Sequence, residues 1–212
     1  MGSNSLGASP AVAPADKRPA TMSFKPVVVA VLIVLGLGLG TLALRAVMRT
    51  AADEVSDQSV APRARVGTDP GALAPSFIAA GYSGGSISLD RFRGHPIVLN
   101  FWASWCPPCR AEMPALEAAY KKYAARGVVM IGIDGATDTW AASRSFLVAR
   151  GVTYPAGRDE HGQVAQTYHV AALPTTFFIK ADGRVAGVAL TGGFTGQDGA
   201  AELSRQIEAL LH

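Results

Sequence analysis

Both cysteines of the chain fall within five residues, Trp105-Cys106-Pro107-Pro108-Cys109, and that placement constrains the fold more than any other feature. They follow a near-continuous apolar run, Pro96 to Trp102, and precede a stretch with Leu116, Tyr120 and Tyr123 at helical spacing. A disulfide closing so short a ring restricts the unfolded chain by only about 2 kcal/mol, so the pair cannot staple the protein together. A hydrophobic core must do that instead. A composition of 49% hydrophobic and 17% charged residues supplies one and excludes a disordered chain. Structural zinc needs four ligands, and the four histidines, His95, His161, His169 and His212, stand at no ligand spacing.

The pattern around the cysteines is that of a sheet covered by helices, an α/β class. Pro96 to Trp102 (PIVLNFW) and Val128 to Asp134 (VVMIGID) read as strands buried on both faces, and a helix over Cys106 to Arg126 between them completes a βαβ unit. A second helix is predicted over Thr139 to Arg150, a short strand near Tyr154 and a helical turn over Gln163 to Tyr168. Thr176 to Lys180, the turn Ala181-Asp182-Gly183-Arg184 and Val185 to Thr191 predict an antiparallel hairpin. Gln197 to Leu211 closes the chain as a helix with Leu203, Ile207, Leu210 and Leu211 on its apolar face. Strands near Phe77 to Ala80 and Ser86 to Leu89 add an edge hairpin.

A second constraint lies upstream. Pro26 to Leu44 is a 19-residue run without a charge, long enough at 1.5 Å per residue to cover most of a bilayer core. We read residues 26–46 as one transmembrane anchor, 1–25 as a disordered tail, 47–69 as a flexible linker and 70–212 as the folded domain. The alternative is a cleaved signal peptide, with Thr41 and Ala43 offered to a peptidase, but signal peptides carry shorter apolar regions and shorter leaders. Lys17, Arg18 and Lys25 before the run, against Arg45 and Arg49 after it, give a slim bias that puts the folded domain outside the cytoplasm. A net charge of +3 over 212 residues, without a basic cluster, argues against nucleic acid as a partner.

The start of a helix presents unpaired N–H groups and a partial positive charge, which stabilise a thiolate at the first cysteine. Cys106 is therefore the expected nucleophile and Cys109 the resolving thiol. Pro107 and Pro108 suit the first helical turn, where their missing N–H groups cost nothing. They also withdraw donors from Cys106, which leaves the thiolate less stabilised and the pair leaning towards reduction of its substrates.

Asn100-Phe-Trp-Ala-Ser-Trp-Cys-Pro-Pro-Cys-Arg-Ala-Glu-Met-Pro-Ala-Leu-Glu117 together with Leu173-Pro-Thr-Thr-Phe-Phe-Ile179 resembles the TlpA/ResA/DsbE-like group of membrane-anchored, thioredoxin-like thiol-disulfide oxidoreductases. Ala74-Pro75-Ser76-Phe77, Pro114 in the first helix and a helix-strand insert around 138–158 agree with it. The resemblance implies a thioredoxin-like fold, a central mixed sheet flanked by helices. It implies an active site of Cys106, Cys109, Glu112 and a cis Pro174 lying against the disulfide, with Trp105, Pro107, Pro108, Leu173 and Thr175 meeting the substrate. It implies no cofactor beyond the Cys106–Cys109 disulfide. The implied partners are disulfide-containing proteins, apocytochrome c among them, and a membrane thiol-disulfide electron donor. The implied location is the cell membrane, single-pass, with the catalytic domain on the extracytoplasmic side.

One departure from cytoplasmic thioredoxin stands out: Asn100 occupies the place of a buried Asp six residues before the first cysteine. Asn cannot take up a proton, which leaves Glu112, three residues after Cys109 on the same helix face, as the candidate internal base. The bland alternative for Glu112 is a solvated acid favoured by the helix dipole. Two other functions compete. A peroxiredoxin-type thiol peroxidase needs a Thr three residues before its cysteine, where this chain has Ala103. A redox-inert, tethered peptide-binding module would use the Pro174 loop without thiol exchange.

Overall fold

The computed structural model describes residues 65–212, together with Val31, Ile33 and Leu35, which are helical and exposed. The expected tail, residues 47–64 of the expected linker, and the expected anchor apart from those three positions lie outside the described residues; residues 65–69 of that linker instead belong to the fold, with Val66 bridging Leu73 and the Gly67 N–H donating to the Leu73 carbonyl. No helix among the described residues is long and apolar enough to cross a membrane.

The strands are β1 (Ile78–Gly81), β2 (Ser86–Ser88), β3 (Ile97–Trp102), β4 (Val129–Asp134), β5 (Ala156–Arg158), β6 (Thr175–Ile179) and β7 (Leu190–Thr191). The helices are α1 (Pro107–Tyr123), α2 (Trp140–Ala149), α3 (Gln163–Thr167) and α4 (Gly196–Leu210). The strands form one mixed sheet in the order β2-β1-β5-β4-β3-β6-β7. β3, β4 and β5 run parallel, while β6 is antiparallel to β3 and β1 antiparallel to β5. This is a thioredoxin-like arrangement with β1–β2 as the edge hairpin.

The sheet separates two cores, and strand alternation assigns residues to each. Val98 and Trp102 of β3, Met130 of β4 and Phe178 of β6 pack with α1, α2 and α4, whose contributions include Leu116, Phe146, Leu203 and Ile207. Ile97, Leu99, Phe101, Ile131, Ile133, Phe177 and Ile179 face the other way, against Val164 and Tyr168 from the α3 region. All six residues of β3 are buried, as a strand covered on both faces requires. The period of two also places Asn100, between Val98 and Trp102, on the α1 side. There it is the polar member of an otherwise apolar row.

Two elements depart from the sequence expectation. The strand expected near Tyr154 begins two residues later, at Ala156. Tyr154 is spent on the core, where it is 3% exposed, and Pro155 has no N–H to give to a ladder. The second strand of the expected 176–191 hairpin is interrupted. Ile179 faces Val185, but Thr176 faces Leu190, so residues 185–190 carry two more residues than the strand opposite. That bulge follows from competition for Val185, whose N–H goes to Ala72 and whose carbonyl accepts from Gly71.

Gly132 shows how tightly the α1 side is filled. A Cβ there would stand 3.0 Å from Trp102 Nε1 and 3.2 Å from Tyr154 Cε2, both on buried rings. Gly132→Ala is expected to destabilise the fold by about 1–3 kcal/mol through overpacking. Denaturant unfolding of the full chain measures it, and an unchanged midpoint would mean the two rings are free to shift.

Candidate active site

β3 runs out at Trp102 and the chain turns through Ala103, Ser104 and Trp105 into α1. Cys106 is the N-cap residue, with Pro107 and Pro108 in the first two helical positions. Because the prolines carry no N–H, the donor left for the Cys106 sulfur is Cys109 N–H, at 3.2 Å. Cys106 and Cys109 are joined in a disulfide with a Cα–Cα distance of 5.3 Å. Cys106 retains 3% exposure and Cys109 none, so an incoming group reaches the first sulfur before the second.

The other expected site residues divide by location. Trp105, at 55% exposure, and the exposed Pro107 and Pro108 form the outer rim of the disulfide. The Leu173–Pro174 bond is cis, and Pro174 is buried. Thr175 pairs with Phe101 in β3 and with Thr191 in β7, so the register brings Pro174 to the end of the sheet from which the Cys106 loop departs. Leu173 packs on the core cluster that contains both cysteines.

Glu112 is fully buried. Its Oε1 accepts from Asn100 Nδ2 at 2.9 Å and its Oε2 accepts from the Phe194 backbone N–H at 3.2 Å. Asn100 Nδ2 also donates to Thr176 Oγ1 at 3.0 Å. Burial pushes the Glu112 carboxyl up to about 7, against the two donors, which pull it down. The solvated-acid alternative therefore fails on geometry. Glu112 lies on the α1 face that carries Cys109 and Met113 into the core.

Sequence reasoning missed the loop that closes this pocket. A Cβ on Gly193 would come within 2.9 Å of the Pro108 carbonyl and 3.4 Å of Glu112 Cβ, so a glycine is needed for this backbone to lie over the start of α1. Phe194 is buried against Phe178 and brings its N–H to Glu112. The signal was the Gly192-Gly193-Phe194 sequence before α4, which reads as an ordinary turn until its tertiary neighbour is known.

A second polar cluster supports the loop from the other side. Asp138 accepts from Ser104 N–H at 2.5 Å, Ser104 Oγ at 2.9 Å and Thr139 N–H at 2.9 Å. These donors hold its carboxyl below the usual carboxylate range against the opposing effect of burial. Asp134, buried at the end of β4, accepts from Tyr82 and lies 3.5 Å from Arg158, yet desolvation raises its carboxyl above the ordinary range. The acid at the end of VVMIGID was visible in the sequence, but its partners were not. Among the described residues there is no group of three or more His, Cys, Asp or Glu placed to hold a metal ion.

Comparison with known proteins agrees with this geometry. Residues 70–188 match the AhpC/TSA family. Thiol-disulfide oxidoreductase ResA of Bacillus thuringiensis subsp. konkukian is 39% identical over 115 residues, 54% of this chain and 66% of the relative. This match therefore spans just under two thirds of that relative's length. ResA of Geobacillus kaustophilus is 33% identical over 140 residues, 66% of this chain and 77% of the relative. Among solved structures, a secreted Mycobacterium tuberculosis disulfide oxidoreductase described as homologous to E. coli DsbE superposes with a TM-score of 0.56 at 28% identity. It covers 63% of this chain and 96% of its own.

The raised Glu112 carboxyl has a thermodynamic consequence. A carboxyl whose folded value lies near 7, above its unfolded value near 4.5, stabilises the fold below the lower value and loses that contribution as pH rises through the upper one. The unfolding free energy of the wild type, relative to Glu112→Gln, is expected to fall by up to about 3 kcal/mol between pH 4.5 and 7.5 and then level off. Urea unfolding of both proteins across that range measures it. A difference independent of pH would mean that Glu112 titrates as a solvated acid.

Proposed function

This chain belongs to the thioredoxin-like AhpC/TSA family, in its TlpA/ResA/DsbE-like group of thiol-disulfide oxidoreductases, and from that premise we propose that it reduces protein disulfides outside the cytoplasm. The observation that carries the reading is the Glu112 carboxyl, buried on the same helix face as Cys109 and held between Asn100 and Phe194.

The reaction starts from the reduced dithiol. The Cys106 thiolate attacks one sulfur of a substrate disulfide; a Cys106–substrate bond forms, the substrate S–S bond breaks, and the leaving sulfur takes a proton. Cys109 then attacks Cys106 Sγ, which closes the intramolecular disulfide and releases the second substrate thiol. Two electrons pass from the dithiol to the substrate. Cys109 is fully buried and must lose a proton to attack, and Glu112, with a carboxyl that titrates near neutrality, is its acceptor. As a carboxylate, Glu112 also disfavours thiolates beside it, which makes the dithiol the readier electron donor.

Around this chemistry we place the remaining parts. The disulfide is the redox centre and no further cofactor is involved. Trp105, Pro107 and Pro108 form the substrate rim, and the backbone around Leu173, cis Pro174 and Thr175 offers strand-like hydrogen bonds to an extended substrate. Residues 26–46 anchor the chain in the cell membrane by a single pass, the linker from 47 to about 64 tethers the domain, and the folded domain that follows works on the extracytoplasmic side. Electrons arrive from a membrane thiol-disulfide carrier, and apocytochrome c is a candidate substrate. The peroxidase alternative is disfavoured by Ala103, fully buried where a threonine hydroxyl would be required.

Trapping tests the exchange. In cells, Cys109→Ser is expected to accumulate mixed disulfides through Cys106, whereas Cys106→Ser accumulates none. Equal trapping by both variants would remove the division of labour between the cysteines, and no trapping by either would favour a redox-inert module. For the anchor, an alkaline wash is expected to leave the full chain with the membrane fraction. Complete release would favour cleavage of residues 26–46.

A further inference from the structure

Two arginines near the start of α1, Arg110 and Arg150, have no acid to pair with among the described residues. Arg110 follows Cys109 in α1, and its backbone N–H donates to the Cys106 carbonyl at 3.0 Å, so its side chain leaves the helix one turn below the nucleophile. Arg150 caps the C-terminus of α2. Between them lies the buried ring of Phe146, 5.3 Å from the Arg110 guanidinium carbon and 5.5 Å from that of Arg150. Arg110, Phe146 and Arg150, with Ser104 and Ala149, line an open groove of about 510 Å³.

The placement of Arg110 has an electrostatic cost. It stands at the fourth position of α1, at the positive end of the helix dipole, where a cation is disfavoured. One of its N–H groups is used, donating to the Ser104 carbonyl at 3.0 Å. Among the described residues, Arg150 makes no side-chain hydrogen bond, and neither arginine has a carboxylate within 4.0 Å. Arg93, Arg126, Arg184 and Arg205 each do. Arg91 and Arg144 also lack an ion pair, but neither lines this groove. Asp138, on the far side of Ser104, has its carboxylate taken up by Ser104 and Thr139. The groove is therefore a cationic cleft beside a redox disulfide, with donors left over.

We propose that the Arg110–Phe146–Arg150 groove selects the substrate: it receives an Asp or Glu side chain of the disulfide protein, a few residues from the cysteine that Cys106 attacks. This rests on the thiol-disulfide exchange described above and specifies its substrate class. A planar guanidinium with a free edge binds a carboxylate through two parallel N–H donors, and stacking on Phe146 orients both guanidiniums beforehand. An extended peptide rises about 3.3 Å per residue, so the near end of the groove, one helical turn or about 5.4 Å from Cys106, is reached about two residues from the substrate cysteine, and its interior one residue further.

Cyclic disulfide peptides that differ only at those two positions, carrying Glu, Gln or Lys, separate the outcomes. The second-order rate at which each oxidises the reduced full chain is followed as loss of the chain's own two thiols, by acid quenching, alkylation and mass measurement of the chain, because the total number of thiols does not change. Each rate is divided by that peptide's rate with uncharged dithiothreitol, which removes the effect of charge on the peptide's own cysteines. At low salt the Glu peptide is expected to react roughly fivefold faster than the Gln peptide, and the Lys peptide slower than both. The ratio shrinks towards one as salt is raised. Arg150→Gln, an exposed helix-terminal change, reduces the preference, and Arg150→Glu reverses its order. Equal normalised rates in the wild type, or a preference untouched by both Arg150 variants, would overturn the subsite while leaving disulfide reduction intact. Failure to reduce any of the peptides would overturn both.

Discussion

The amide of Asn100 joins three elements at one atom. Its Nδ2 donates to Glu112 in α1 and to Thr176 in β6, while its own backbone sits in β3, the most enclosed strand of the sheet. A carboxyl group buried in an apolar cluster is expensive to ionise unless donors face it, and the Asn100 amide and the Phe194 N–H are those donors. An Asp at position 100 would set two carboxyl groups against each other and remove one donor. The exchange of Asp for Asn relative to cytoplasmic thioredoxin is thus more than the loss of a base. In the proposed mechanism it moves the base from β3 to α1, and the amide at the old position donates to it.

The loop carrying Cys106 is held from both sides by unlike devices. On one side the Gly193–Phe194 backbone lies over the first turn of α1, close enough that a single methyl group would collide with the Pro108 carbonyl. On the other, Asp138 gathers the Ser104 N–H and hydroxyl, and Arg110 ties off the Ser104 carbonyl. Every backbone polar group of Ser104 is therefore spoken for one residue before the exposed Trp105. These hydrogen bonds fix the backbone from which Trp105 and Cys106 leave, as presenting a nucleophile in one orientation requires.

Much of this was legible in the sequence because the relevant signals are local. Apolar runs marked β3 and β4, the spacing of Leu203, Ile207 and Leu210 marked α4, and a C-x-x-C at a strand-helix junction marked the redox centre. Glu112 could be placed on the cysteine face by helical spacing alone. Its burial could not, because the closing loop lies some 80 residues away in the chain and its contribution is a backbone N–H, which has no sequence signature. The broken hairpin was illegible for a similar reason. Val185 reads as a strand residue in isolation, and only the segment at Gly71–Ala72 decides which way its hydrogen bonds go. Tyr154 reads equally well as strand or core, and Pro155 settles the choice.

In the mechanism we propose, the buried Glu112 carboxyl on the helix face of Cys109 makes this pair a reductant. The reduction potential of the Cys106–Cys109 couple at pH 8, equilibrated against glutathione in wild type and Glu112→Gln, tests it most directly. Glu112 is ionised at that pH, so its removal is predicted to relieve the repulsion on the thiolates, lower the Cys106 pKa and shift the couple towards a more oxidising potential. A potential and a thiolate titration curve that coincide in the two proteins would contradict the account and leave Glu112 as a packing residue.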